Sequence, residues 1–273
     1  MRKLIGLFLL TLSLAAAAVA QRGEGPLDPS QPKDITPEEV IQRFAAKEKE
    51  FKEARENYTY RQEVKIQTVD GGRVDGEYQQ IVDITFDDRG RRGENVIYAP
   101  QSTLRRVQMT REDLDDIEKR LPFVLTTDEI PEYSIKYAGQ QRVDELDTYV
   151  LDISPRSMER GRRYFEGRIW VDNRDFQIVK TYGKNVPDYR KKNEENLFPK
   201  FSTYREQIDG QYWFPTYTRA DDVLQFTSGD VRIRIIVRYT DYKRFGTKTR
   251  ITYEGEEIEK GQEKPAEEPK KPQ

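Results

Sequence analysis

The side chains that most often carry out chemistry are missing from this sequence: its 273 residues include no histidine and no cysteine. Without them there is no Ser-His-Asp hydrolysis, no thiolate nucleophile, no histidine general base, and no His- or Cys-held zinc, haem or iron–sulfur cluster. Carboxylates, lysines, tyrosines and oxygen-ligated metals remain. Acidic clusters stand at Asp87-Asp88, at Asp113, Asp115 and Asp116, and at Asp221-Asp222. Their spacings match no calcium loop and read as solvated turn or helix-face charge. Carboxylates for glycoside hydrolysis meet only in three dimensions, and nothing singles out two of the 49 acids. No P-loop, dinucleotide fingerprint or EF-hand pattern occurs, so Gly90 and Gly93 read as turn glycines. Asn57-Tyr58-Thr59 fits the short glycosylation sequon, a pattern that also arises by chance. The expectation is a protein that is not an enzyme and has no cofactor or metal.

Aromatic surface is concentrated here instead, with 16 Tyr, 12 Phe and 2 Trp. Tyr212, Trp213, Phe214, Tyr217 and Phe226 fall in one strand arm, and Tyr58, Tyr60, Phe86 and Trp170 in others. Ordinary sheet packing accounts for any one of them. Together, inside a half-open sheet, they suit an apolar cavity. Charge points the same way by elimination: 47 basic and 49 acidic residues give a net charge of −2, too balanced to attract nucleic acid. Local basic clusters at Arg160, Arg162 and Arg163 and at Arg190, Lys191 and Lys192 read as solvated loop charge or as a contact for an anionic headgroup or acidic partner.

The elements that must position these residues follow from periodicity. Thr36 suits an N-cap, Pro37 the first helical position, and Glu39 a capping box; Val40, Ile41, Phe44, Phe51 and Ala54 then share one face to about Glu56. From Tyr58 the period changes to two. Strands are predicted through Ile66, over Gly76–Asp87 with Tyr78, Val82, Ile84 and Phe86 on one side, over Asn95–Ala99, and around Leu104–Met109. Thr110 and Asp113 cap a second helix whose apolar edge is Leu114, Ile117 and Leu121, continued by Phe123 after Pro122. That edge suits either a lid over the open face of a curved sheet or a core plug. Further strands are predicted at Tyr133–Ala138, Gln140–Val143, Thr148–Ser154, Arg163–Val171, Phe176–Gly183, Phe198–Ile208, Gln211–Gln225, Asp230–Phe245 and Lys248–Tyr253, with Pro187–Asn196 a charged loop or short helix.

The ends of the chain differ from this body. Arg2 and Lys3 precede an apolar run from Leu4 that closes on Ala18-Val19-Ala20, the form of a signal peptide over residues 1–20. No cysteine follows to take a lipid anchor. Its removal takes the net charge from −2 to −4. Residues 21–34 read as a flexible lead, 35–253 as one domain, and 254–273 as a disordered charged tail. About ten antiparallel strands and two helices make the fold mainly β. So large a sheet must curl or close to hide its apolar face, and a curled antiparallel sheet forming a half-open barrel, with helices covering the mouth, is the economical solution.

A signal peptide, an amphipathic first helix and a meander of long strands resemble the Lol-type lipoprotein carriers and their RseB-like and mycobacterial lipid-binding relatives. The segment Tyr133–Lys180 carries the likeness most closely, with Tyr-Val-Leu (149–151), then Gly-Arg-Ile-Trp-Val-Asp (167–172), then Ile-Val-Lys (178–180). The resemblance covers roughly residues 36–250. It implies a soluble periplasmic carrier whose half-barrel shields a hydrophobic ligand such as a lipid or acyl chain, with a periplasmic or membrane-associated protein as a second class of partner. On that reading the cavity or lid candidates are Tyr58, Tyr60, Val82, Ile84, Phe86, Leu114, Ile117, Leu121, Phe123, Trp170, Phe214 and Tyr217. A protein-interaction or sensor module, its interior filled by its own aromatics, is the alternative.

Overall fold

Thr36 caps the first helix as its position demands: its hydroxyl accepts the Glu39 N–H at 3.2 Å, and α1 runs over Pro37–Arg55. The computed structural model describes residues 24–87, 89–191 and 194–245. The signal-peptide segment, residues 21–23, the strand expected at Lys248–Tyr253 and the charged tail lie outside the described residues. Among the described residues no helix is long and apolar enough to cross a membrane.

Alternating sequence builds β1 (Tyr58–Asp70), β2 (Arg73–Phe86) and β3 (Arg92–Tyr98). After α2 (Arg111–Lys119) come β4 (Tyr133–Val143), β5 (Leu146–Pro155), β6 (Tyr164–Asp172) and β7 (Ile178–Val186). A ribbon of β8 (Tyr189–Lys191) and β9 (Glu194–Asn196) precedes β10 (Phe201–Ile208), β11 (Tyr212–Phe226) and β12 (Gly229–Arg244). Ten strands form one sheet in the order β3-β2-β1-β12-β11-β10-β7-β6-β5-β4, each neighbouring pair antiparallel. The end strands β3 and β4 do not pair with each other, so the sheet is curled but not closed into a barrel. Its inner face carries the core, in which α1 contributes Val40, Phe44 and Ala45, α2 contributes Ile117, and the strands contribute residues such as Leu151, Ile169 and Val237.

Four local expectations change. The stretch around Leu104–Met109 is a loop: Thr103 N–H bonds to Glu77 O at 2.9 Å, and Arg106 reaches Asp75 and the Asp230 carbonyl, so anchored side chains replace a ladder. Pro187–Asn196 forms the β8–β9 ribbon, where Arg190 lies opposite Glu195 and bonds it at 2.7 Å. The two pieces expected on either side of Gly139 are one strand, β4, with a register shift between Tyr137 and Gly139. Gly139 is required there, because at φ +143 a Cβ would lie 2.2 Å from the Asp28 carbonyl oxygen. That close approach shows the fourth change: the segment expected to be a flexible lead is tied along β4. Gly25 N–H donates to Arg142 O, and Asp28 and Gln140 exchange backbone bonds of 2.8 and 2.7 Å. An otherwise bare sheet edge is thereby covered.

Candidate functional site

The inner face is not filled evenly. Between β1, β11, β12 and α2 lies a cleft of about 690 Å³, within the roughly 300–1,000 Å³ of small-molecule sites. Strand alternation supplies its floor: Ile66, Leu224, Ile233 and Ile235 all point inward. Ile117 of α2 and Phe226 at the end of β11 form walls, with Leu197 and Phe198 following β9. Val107 and Met109, on the loop before α2, complete the apolar lining.

The rim is polar and tied together. Thr110 and Asp113 form the capping box of α2, the Asp113 N–H donating to Thr110 Oγ1 at 3.2 Å and the Thr110 N–H to Asp113 Oδ2 at 2.8 Å. Asn196 Nδ2 then donates to Thr110 Oγ1 at 2.9 Å, joining the ribbon to the helix. Arg163 bonds the Asn196 side chain and makes a buried ion pair with Asp116, which also receives Arg120. Burial pushes the carboxyls of Asp113 and Asp116 above their ordinary values; hydrogen bonds from Thr110 and the charges of Arg163 and Arg120, respectively, oppose the shift. The floor and walls can shed water from an apolar chain, and the rim can meet a polar end.

The twelve residues singled out in the sequence separate into five environments. Ile117 lines the large cleft. Tyr60, Phe86 and Phe214 line a second cavity of about 230 Å³ beneath the other end of α2, bordered by Phe51 and Tyr242 and by the charged Arg55, Arg92 and Glu118. Tyr58, Val82, Ile84, Leu121 and Phe123 are core. Tyr58 packs 4.6 Å from Phe214, and its hydroxyl donates to Asp209; burial and that carboxylate push the phenol up to about 12. Phe123 stacks on Phe165 at 4.3 Å. Thr203 holds the Leu121 carbonyl at 2.7 Å, and Arg205 holds that of Phe123. The segment that follows α2 is therefore a plug.

Leu114 stands 38% exposed, away from both cavities. Trp170 and Tyr217 occupy the opposite, outer face: Trp170 belongs to a separate cluster with Val143, Val150 and Val179, and Tyr217 lies beside Tyr204. Sequence reasoning missed most of the cleft, including Ile66, Val107 and Leu224; Phe226 stood only in the general group of aromatics that suited a cavity. The alternation Ile233, Ile235, Val237 was visible. Nothing in it distinguishes residues covered by α1 from those left open beyond the helix.

No protein-family model matches the chain, and no curated protein matches it. The solved structures similar to it include a DUF1329 family protein from Desulfovibrio piger, at 14% identity over 74% of this chain and 90% of that one, TM-score 0.39. A LolA superfamily protein from Nitrosomonas europaea follows at 17% identity, 78% and 94% coverage, TM-score 0.35. An outer membrane lipoprotein-sorting protein domain from Vibrio parahaemolyticus has 11% identity, 75% and 93% coverage, TM-score 0.36.

Proposed function

We propose that the chain is a periplasmic carrier or binding protein, not an enzyme, for a hydrophobic ligand such as a lipid or a lipoprotein acyl chain. The cleft of about 690 Å³, apolar within and polar at its rim, is the observation that supports this reading. A fully filled interior would have favoured the interaction module instead. Burial of an acyl chain contributes about 0.8 kcal/mol per methylene, so useful affinity needs no polar motif. Entry runs past the loop 106–110 and the β8–β9 ribbon, because Leu121 and Phe123 are fixed in the core and cannot act as a lid. Thr110 and Asn196 close the seam between loop, helix and ribbon, and opening that seam widens the mouth.

The test is displacement of a fluorescent fatty acid from the purified protein. Phe226→Asp, which puts a charge at the apolar wall, is expected to weaken binding at least about tenfold by loss of apolar burial. Val223→Asp, a neighbouring substitution at an exposed position outside the cleft lining, is expected to leave it unchanged. Equal affinity in the wild type and the Phe226 variant would overturn the assignment.

A further inference from the structure

The outer face of the sheet carries an organised row of side chains that the cleft does not use. Register places Lys136 opposite Asp152, Asp152 opposite Arg168, and Arg168 opposite Tyr182. It then places Tyr182 opposite Ser202 and Ser202 opposite Arg219, so one rung crosses six strands from β4 to β11. All six residues line a depression of about 920 Å³ on that face. The next rung brings Trp170, Lys180 and Tyr204 side by side, with the Lys180 ammonium 4.4 Å from the Trp170 ring and 5.4 Å from that of Tyr204.

The charges here are unequal. Six cationic side chains and three acidic ones line the depression. Asp152 is taken by Arg168 through two bonds of 2.7 and 3.0 Å, and Glu24 by Lys180. Among the described residues Lys136, Lys200 and Arg219 make no ion pair, while Lys184 pairs with Asp188 and Glu166 is unpaired. Arg219 is steadied by an aromatic ring rather than by a carboxylate: its guanidinium lies 5.8 Å over Tyr204 and donates to that hydroxyl at 3.4 Å. Its other N–H groups remain for a ligand. Tyr182, 46% exposed in the middle of the rung, presents a free ring between these cations.

We propose that this depression binds an acidic glycan, a chain of sugar rings bearing carboxylates. Charge complementarity selects an anion, and Arg219 offers the fork that carboxylates accept. The exposed tyrosine face, flanked by the Ser202 hydroxyl, selects rings with apolar C–H faces and hydroxyl edges. A nucleic acid is disfavoured by the chain's overall charge of −2, which supplies no field for so dense a polyanion. A membrane surface is disfavoured because the large exposed aliphatic side chains, such as Val96 and Ile97 on β3, are not among those that line this depression.

The probe is polygalacturonate titrated into the exported chain, with neutral dextran and polyglutamate of matched length as controls. Binding to polygalacturonate, and much weaker binding to both controls, is expected. Substituting Arg219→Gln together with Lys200→Gln should weaken it about tenfold or more. Tyr182→Ser should weaken it severalfold, and Tyr182→Phe should retain it, because stacking needs only the ring. Unchanged fatty-acid binding in each variant shows that the fold is intact. The proposal is overturned if polygalacturonate does not bind, if dextran or polyglutamate binds equally well, or if the variants bind as the wild type does.

Discussion

Glu48 shows how much one polar residue can organise in an apolar face. It is fully buried on α1, and its carboxylate accepts from Arg205 in β10 at 2.9 and 3.1 Å and from the Ile178 N–H at 3.2 Å. Arg205 also donates to the Phe123 carbonyl and lies 4.9 Å over the Phe51 ring. One ion pair thus ties α1, two strands and the plug. Burial pushes the Glu48 carboxyl up, and the Arg205 charge and hydrogen bonds oppose that shift. Removing one partner leaves the other charge buried without compensation, which costs about 3–5 kcal/mol, whereas replacing both with apolar groups is often neutral. Glu48→Gln is therefore expected to lose that much stability in urea unfolding, and Glu48→Leu combined with Arg205→Met to recover most of it. The sequence concealed this pair, because an interior glutamate among Lys and Glu reads as solvated surface.

At the scale of elements, α2 divides into a fixed half and a rim. Leu114 and Ile117 share an apolar edge in the sequence, yet Ile117 meets the cleft and Leu114 meets solvent. Ile117→Asp is expected to abolish fatty-acid loading, and Leu114→Asp to leave loading and melting temperature nearly unchanged. Strand pairs give a pH dependence. Arg61 grips Asp83 between β1 and β2 at 2.8 and 3.1 Å, and Arg232 grips Asp221 between β12 and β11 at 2.7 and 3.1 Å. These hydrogen bonds hold both carboxyls below the ordinary range. The folded state then binds fewer protons than the unfolded one, so their stabilisation is complete above the ordinary Asp value of about 3.9 and fades as pH falls through the lower folded values. The Asp83→Asn, Asp221→Asn double variant should melt slightly below the wild type at pH 7, and the two melting curves should converge at about pH 2.

The whole molecule presents two unlike faces, and salt should separate them. Binding in the cleft comes from apolar burial, so fatty-acid affinity is expected to hold or rise between low salt and 0.5 M. Glycan binding on the outer face is electrostatic and should fall steeply over the same range, as the Debye length shortens from about 30 Å at 0.01 M towards a few ångströms. Titration of both ligands across one salt series would sink this two-face description if they responded alike. Export is tested separately: the protein recovered from a periplasm should begin at Gln21, and an intact mass that retains residues 1–20 would refute cleavage there.

Period-two alternation was enough to announce most of the strands, because a side chain's face in a strand depends only on its parity. Capping chemistry was equally local, which is why Thr36 and Thr110 marked both helices. The absence of His and Cys excluded whole classes of reaction without any structure. Which apolar residues are covered is not local. Ile66 and Val64 share an inward parity in β1, but only Ile66 lines the cleft, since the helices reach just part of the inner face. The same holds for Trp170 and Tyr217, whose size suggested a cavity and whose register put them outside. The side of a curled sheet, the place where a helix stops covering it, and the six-strand row on its back are set by pairings between residues far apart in the chain. Only the tertiary structure could decide them, because each depends on which strands become neighbours.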